Sequence, residues 1–236
     1  ILHTLNKLKK NGFAITLLPV HENGIVRLDE LEAAIREDTC LVTIMTANNE
    51  IGTIQPIAEI GEICRKHGVL FHTDAVQAVG HLPIDVKVQQ IDMLSASAHK
   101  FHGPKGVGFL YAKKGVVLSN LIEGGAQERG KRAGTENVAG IAAMAAALKE
   151  SVANMEGDKE RLTKVRDYLI RGLSEIPHSA LNGDPEQRIY SNVNFCFEGI
   201  EGESLLILLD RKGISASSGS ACTSGSLDPS HVLLAI

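Results

Sequence analysis

The most restrictive feature of this 236-residue sequence is an alternation of short apolar runs with helical patterns over its first two-thirds. The run CLVTIMTA at residues 40–47 is β-branched and almost continuously apolar, as expected of a strand buried on both faces. A helical pattern at residues 57–67 follows, opened by Pro56 and closed by Gly68. Further strands are predicted at residues 69–73, 91–96 and 106–112. Strands separated by helices predict βαβ units, and therefore an α/β fold with a mainly parallel sheet flanked by helices.

The sequence pattern changes after Gly134, where two long helical patterns replace the alternation of strands and helices. An Ala-rich helix is predicted at residues 135–152 and a charged amphipathic helix at residues 159–176. We place a domain boundary in the polar stretch between them. The prediction is a large α/β domain at residues 1–155 and a smaller, partial α+β domain at residues 156–236. Because the sequence starts at Ile1 within a helical pattern and stops two turns after a helix start at Asp228-Pro229, we expect a piece of a longer chain.

Composition excludes several classes of protein. The net charge is -4, aromatic residues make up 4%, and Trp is absent, which argues against binding nucleic acid. No apolar run approaches the roughly 18 residues that a membrane span needs. The four cysteines form no CxxC pair and the histidines show no ligand spacing, so no metal site is predicted. Few cysteines in a chain of this length favour a reducing compartment, and we expect the cytoplasm.

Lys100 lies in the segment SASAHKFHGPKG, directly after a predicted buried strand. At the carboxyl end of that strand it would face the crevice where α/β proteins bind ligands. Desolvation there would help its amine lose a proton and form a Schiff base. A solvated lysine in a turn is the alternative, and Lys105 is a nearby rival.

Three other segments carry weaker signals. Asp74 ends the strand at residues 69–73 and could hold the ring nitrogen of a pyridoxal cofactor protonated, although a helix cap would be favoured if Asp74 stood alone. Asn49 lies in TANNEIGT, where ligand binding and turn formation explain the paired asparagines equally well. Thr135 is predicted at the start of the long helix, where it could bind phosphate or only cap the helix.

Cys222 stands apart from the other cysteines because its surroundings, SASSGSACTSGSLDPS, are too rich in Ser and Gly to pack as core. A cysteine on an exposed loop is a candidate nucleophile, and an incidental free thiol is the alternative. We expect Cys40, Cys64 and Cys196 to be buried and inert.

Taken together, these motifs resemble one family, the cysteine desulfurases of the NifS/IscS type, which belong to the fold-type-I pyridoxal-phosphate enzymes and the class-V aminotransferases. The resemblance rests on MTANNEIGTIQPI, HTDAVQAVGHLPIDV, SASAHKFHGPKGVGFLY, ERGKRAGTENV and SSGSACTSGSLDPSHVL, in the family's order, and covers essentially the whole chain. It implies a mainly parallel sheet of the seven-stranded type.

The resemblance also implies a role for each matching residue, with pyridoxal 5'-phosphate as the cofactor. Lys100 would be the Schiff-base lysine and proton shuttle, and Asp74 would pair with the pyridine nitrogen. The other cofactor-binding residues would be Asn49 and Gln77 at the ring oxygen, Ser97 and His99 at the phosphate, and Thr135 at the phosphate of the partner subunit in a homodimer. Cys222 would attack the substrate sulfur.

The activity implied is removal of sulfur from L-cysteine, which gives L-alanine and a persulfide on Cys222 for an iron–sulfur scaffold or another sulfur acceptor protein. Cys222 would pass sulfur to a cluster or ligate one transiently. The family's ring-stacking histidine and a Gly-Thr phosphate turn lie upstream of Ile1, and its carboxylate-binding arginine lies downstream of Ile236. The alternatives are a catalytically incomplete domain, such as a sulfur-relay module, or another pyridoxal-phosphate enzyme such as selenocysteine lyase. A transaminase needs no loop thiol.

Overall fold

The central feature of the fold is a mixed sheet in the order β1-β2-β3-β4, seen in a computed structural model that describes residues 1–219 and 230–236. Its strands are β1 (Leu41–Met45), β2 (Leu70–Asp74), β3 (Met93–Ser97) and β4 (Gly108–Ala112). The first three strands are parallel and β4 is antiparallel to β3. The predicted mainly parallel α/β sheet is therefore confirmed, with four strands in the part of the chain that the structure describes.

The described part of the chain also contains six α-helices. They are α1 (Leu2–Lys10), α2 (Leu28–Ala34), α3 (Ile57–Lys66), α4 (Gln127–Gly130), α5 (Val138–Ser174) and α6 (Gly202–Arg211). Helix α3 makes the crossover from β1 to β2 and buries one stripe, Ile57, Ile60 and Cys64, against the sheet. Within the described ranges, no helix is long and apolar enough to span a bilayer.

The apolar core that packs on the sheet extends into the segments that follow β2 and β3. Phe71 in β2 and Phe101 after β3 are both 0% exposed and belong to one apolar cluster. Replacing a buried Phe by Ala typically costs about 3–5 kcal/mol. These two side chains therefore anchor the segments that carry Asp74 and Lys100.

The two helices that we predicted on either side of residues 154–158 form one continuous helix, α5, of 37 residues. Asn137 caps it, accepting a hydrogen bond from the Gly140 N–H at 3.0 Å. No proline interrupts the polar stretch, and side-chain pairs such as Asp158–Arg161 at 2.9 Å suit a solvated helix face. The boundary that we predicted at residue 155 lies within this helix and stays a prediction.

The second half of the chain contains a small antiparallel ribbon, β5 (Ser179–Leu181) with β6 (Phe195–Phe197). Val193, Phe195 and Phe197 alternate along residues 191–197 as in a half-exposed strand, but only residues 195–197 pair. The side-chain amides of Asn192 and Asn194 instead donate hydrogen bonds to the Glu50 carbonyl, in the loop after β1.

Two of the three cysteines that we expected to be buried are exposed. Cys64 is 1% exposed in the core, and burial raises the pKa of its thiol to about 11. Cys40 precedes β1, which has β2 as its one neighbour among the described strands, and Cys196 lies in the half-exposed ribbon. Cys40 and Cys196 lie at the margins of their sheets, where apolar neighbours in the sequence do not ensure burial.

Candidate active site

The three parallel strands end at one edge of the sheet, which collects the candidate residues. The register pairs Met45 with Asp74 and Asp74 with Ser95. The loop after β1 starts beside the end of β2, since the Thr46 N–H donates to the Asp74 carbonyl at 2.9 Å. Carboxyl ends of parallel strands are where open α/β sheets bind ligands.

Lys100 lies at this edge, on the single 3₁₀ turn Ala98–Phe101 that follows β3. The Ala98 N–H donates to the Val107 carbonyl at 2.9 Å, and the Gly103 N–H donates to the Ala98 carbonyl at 2.8 Å, so the turn is pinned at both ends. The Lys100 side chain is half-buried, whereas the rival Lys105 is exposed. Within the described residues the Lys100 ammonium forms no hydrogen bond or ion pair.

Asp74 is the last residue of β2 and is half-buried. Its Oδ1 accepts a hydrogen bond from the Val76 N–H at 3.1 Å, which closes a turn, and no helix follows it. Oδ2 has no hydrogen-bond donor among residues 1–219 and 230–236. One carboxylate oxygen therefore remains for a ligand, and the helix-cap alternative is wrong.

Four further candidates lie at the strand ends and in the turns and loops that follow them. Ser97 Oγ lies 2.8 Å from His99 Nδ1, on either side of the start of the Lys100 turn. Gln77 is half-buried in the turn after Asp74. Asn49 is exposed in the loop that follows β1.

Thr135 is not joined to this edge by any hydrogen bond in the described residues. It is exposed and lies three positions before α5, and Asn137 caps that helix, so the capping alternative for Thr135 is wrong. The Thr135 carbonyl accepts from Arg132 Nη1 at 3.4 Å. A role for Thr135 at the site of a second copy stays a prediction.

Cys222 falls in residues 220–229, outside the described residues. The residues on either side of this segment lie beside Glu50, which is 4% exposed. Ser230 Oγ donates to Glu50 Oε2, and a Cβ built at Gly219 would lie 3.5 Å from the same oxygen. Both flanks are therefore next to the loop that carries Asn49.

Sequence reasoning missed His72, which lies two residues before Asp74 on the same face of β2. Its Nδ1 is 2.8 Å from Thr43 Oγ1 and its Nε2 is 2.7 Å from Ser95 Oγ, so it bridges three neighbouring strands. Burial lowers the pKa of His72, although the nearby Asp74 carboxylate opposes that shift. The two-residue spacing of His72 and Asp74 in HTD could have indicated that both lie on one face of the strand.

Sequence reasoning also missed a contact to the Lys100 main chain. His81 Nε2 lies 2.8 Å from the Lys100 carbonyl oxygen, and His81 Nδ1 lies 2.9 Å from the Tyr190 hydroxyl. Tyr190 is 5% exposed, and burial together with the Asp158 charge raises the pKa of its hydroxyl.

A third missed feature is the way that segment 182–194 supports the loop after β1. The Ile189 N–H donates to the Gly52 carbonyl at 2.9 Å, and Asn192 Nδ2 donates to the Glu50 carbonyl at 2.9 Å. Arg188 is 3% exposed, and burial lowers the pKa of its guanidinium to about 10. Its Nε donates to the Asp184 carbonyl at 3.1 Å, which keeps the segment folded on itself.

At one sheet edge lie a lysine whose ammonium has no partner in the described residues and a half-buried carboxylate, in agreement with the match to known families. The family model for class-V aminotransferases matches residues 1–236. The chain belongs to the class-V aminotransferase family. As a class-V chain it is similar to cysteine desulfurase IscS of Clostridium botulinum, with 57% identity over 239 residues that cover 100% of this chain and 60% of that protein. The chain thus spans about 60% of the length of that curated relative.

Solved structures of similar proteins have the same fold. A NifS-like protein superposes with a TM-score of 0.91 at 40% identity, over 99% of this chain and 61% of that one. SspA in complex with cysteine superposes with a TM-score of 0.82 at 34% identity, over 99% of this chain and 65% of that one. The fold is therefore that of the NifS-like, fold-type-I enzymes, as the motifs implied.

Proposed function

We propose that this protein is a pyridoxal-phosphate-dependent cysteine desulfurase, in which Lys100 carries the cofactor and Cys222 receives the sulfur. The observation that carries the proposal is the Lys100 ammonium, half-buried at the carboxyl edge of the sheet and without a partner in the described residues. The similarity to cysteine desulfurase IscS and to SspA solved with cysteine supports L-cysteine as the substrate.

The residues at the edge fit pyridoxal phosphate. Asp74 offers one carboxylate oxygen without a described donor, which suits a protonated ring nitrogen. Ser97 and His99 offer a hydroxyl and an imidazole for the phosphate. Asn49 and Gln77 would contact the ring oxygen, and Thr135 would reach the phosphate bound by a second copy.

The bound cofactor would supply an electron sink for the bonds broken at the substrate's α-carbon. Lys100 would take the α-proton and return it, acting as general base and then as general acid. Asp74 would keep the ring nitrogen protonated by its negative charge.

The Cys222 thiolate would then attack the substrate sulfur. An S–S bond forms, the C–S bond of the substrate breaks, and the carbon skeleton leaves as alanine after it gains a proton. The thiol of Cys222 thus becomes a persulfide, with no external oxidant. The terminal sulfur would pass to an acceptor thiol or to an iron–sulfur scaffold in the cytoplasm.

The test is the absorbance spectrum of the purified protein with pyridoxal phosphate, alone and with L-cysteine. We expect a visible band in the unmodified protein and in the matched control Lys105→Ala, and no band in Lys100→Ala. L-cysteine should yield alanine in equal amount to the sulfur released, and Cys222→Ser should keep the band but release no sulfur. Absence of the band in the unmodified protein would overturn the proposal. A much higher kcat/KM with L-selenocysteine would replace it with a selenocysteine lyase.

A further inference from the structure

The Lys100 carbonyl oxygen determines the direction of two hydrogen bonds at His81. A carbonyl oxygen only accepts, so the His81 nitrogen 2.8 Å from it, Nε2, carries the proton. In the neutral ring Nδ1 is then the acceptor, and the Tyr190 hydroxyl 2.9 Å away is its donor. The bonds therefore run in one direction, from the Tyr190 O–H to His81 and from the His81 N–H to the Lys100 carbonyl.

The close approach of His81 to this turn depends on the glycine before it. Gly80 has a φ of +82°, and a Cβ built there would lie 2.9 Å from Phe101 Cβ. From the other side, Ser151 Oγ of helix α5 donates to the Phe101 carbonyl at 3.2 Å. Two consecutive carbonyls of the turn, at Lys100 and Phe101, are thus held by side chains from separate parts of the fold.

The turn needs such support because a 3₁₀ turn has poorer hydrogen-bond geometry than an α-helix. It is only four residues long and ends at His102 with a φ of 67°, a left-handed conformation that favours glycine. A main chain that drifts at Lys100 moves the root of the side chain that would hold the cofactor.

We propose that His81 and Tyr190 are positioning residues that fix the main chain of Lys100 and couple it to segment 182–194. The same segment holds the loop of Asn49 through the Ile189 and Asn192 bonds. One segment of the second half therefore braces two sides of the candidate cofactor site. The inference rests on the proposed function only in taking Lys100 as the residue that carries the cofactor.

The first measurement needs no cofactor. In the ¹⁵N spectrum of histidine-labelled protein, His81 should be in the Nε2–H tautomer with a hydrogen-bonded Nδ1. Tyr190→Phe should move the Nδ1 signal downfield to the position of an acceptor without a donor. The matched control Tyr168→Phe, at a tyrosine 74% exposed, should leave it unchanged. An Nδ1–H tautomer, or no response to Tyr190→Phe, would contradict the relay.

The second measurement is the rate at which pyridoxal phosphate is trapped on Lys100 by borohydride, followed by peptide mapping. Loss of one neutral hydrogen bond, about 0.5–1.5 kcal/mol, corresponds to a rate about two- to twelvefold lower in His81→Phe and Tyr190→Phe. His81→Gln retains an N–H donor at the end of the side chain and should recover part of the rate. If His81→Phe does not fold, Tyr190→Phe decides the outcome, because it removes a single oxygen atom.

The two proposals fail in different ways. If the unmodified protein captures no pyridoxal phosphate on Lys100, the proposed function is wrong, while the ¹⁵N measurement still decides whether the His81–Tyr190 relay exists. If the unmodified protein captures it and both variants do so at the same rate, the positioning role is wrong and the proposed function stands.

Discussion

At the scale of single residues, the polar row Thr43–His72–Ser95 is the least expected feature of the sheet. These side chains lie on adjacent strands, and the imidazole satisfies both hydroxyls at 2.8 and 2.7 Å. A buried polar group is tolerated when it is hydrogen-bonded, and a charged one is costly unless paired. The row therefore needs His72 neutral, in agreement with its lowered pKa.

This requirement predicts how stability depends on pH. The pKa of His72 is lowered in the folded state by burial, so below pH 6.5 the unfolded state binds more protons at this residue. The stabilisation is present above pH 6.5 and is lost as the pH falls toward the folded-state pKa. In His72→Gln the free energy of unfolding should fall less between pH 7 and 5 than in the unmodified protein, as measured by urea titrations. Parallel curves for the two proteins would contradict the prediction.

At the scale of elements, glycines within two helices have opposite surroundings. Gly61 lies in α3, where a Cβ would come within 2.2 Å of the Gln89 carbonyl oxygen in the chain between β2 and β3. Gly157 lies in α5, and a Cβ there would meet nothing within 4 Å. The first glycine permits close packing, whereas the second costs helix stability without a contact in return.

We therefore expect the same substitution to have opposite effects in the two helices. Gly157→Ala should raise the free energy of unfolding by about 0.5–1 kcal/mol, the usual difference in helix propensity. Gly61→Ala should lower it by about 2 kcal/mol or more, because a backbone carbonyl cannot move as easily as a side chain. Denaturant midpoints with unchanged slopes would measure both, and stabilisation by Gly61→Ala would show that the crossover does not pack as described.

At the scale of the molecule, Thr53 joins three distant segments. It is 0% exposed, its Oγ1 donates to the Asn23 carbonyl at 2.9 Å, and it accepts from the Asp184 N–H at 3.0 Å. The loop after β1 and segment 182–194 thus share a part-buried hydrogen bond. If the chain has two domains divided near residue 155, as we propose, they are not independent at this point.

Thr53→Val tests that coupling, because valine has nearly the same shape but cannot hydrogen-bond. It leaves one half-buried acceptor and one half-buried donor without a partner, and we expect a loss of about 1–3 kcal/mol in the free energy of unfolding. The control Thr4→Val, at an exposed threonine of α1, should change it by less than about 0.5 kcal/mol. A small effect at Thr53 would mean that segment 182–194 separates from the sheet easily.

The sequence by itself determined the strands, the crossover helix and the sheet edge. Apolar periodicity and Gly/Pro punctuation are local signals, and the ends of parallel strands necessarily meet at one edge. The positions of Lys100, Asp74 and Asn49 were predictable for that reason, whereas Gln77, Ser97 and His99 were named only through the resemblance to a family. The position of Thr135 relative to α5 was less predictable, since several nearby residues could have capped that helix.

Only the tertiary structure decided which side chains support those residues. His81 and Tyr190 are 109 positions apart, and Asp184 reaches Thr53 over 131 positions, so no local pattern encodes either contact. Helix α5 likewise continues through residues 154–158 because their polar side chains lie on a solvated face. From composition alone, we had predicted that the helix is interrupted there. Long-range hydrogen bonds depend on how the chain folds back on itself, and periodicity carries no information about that.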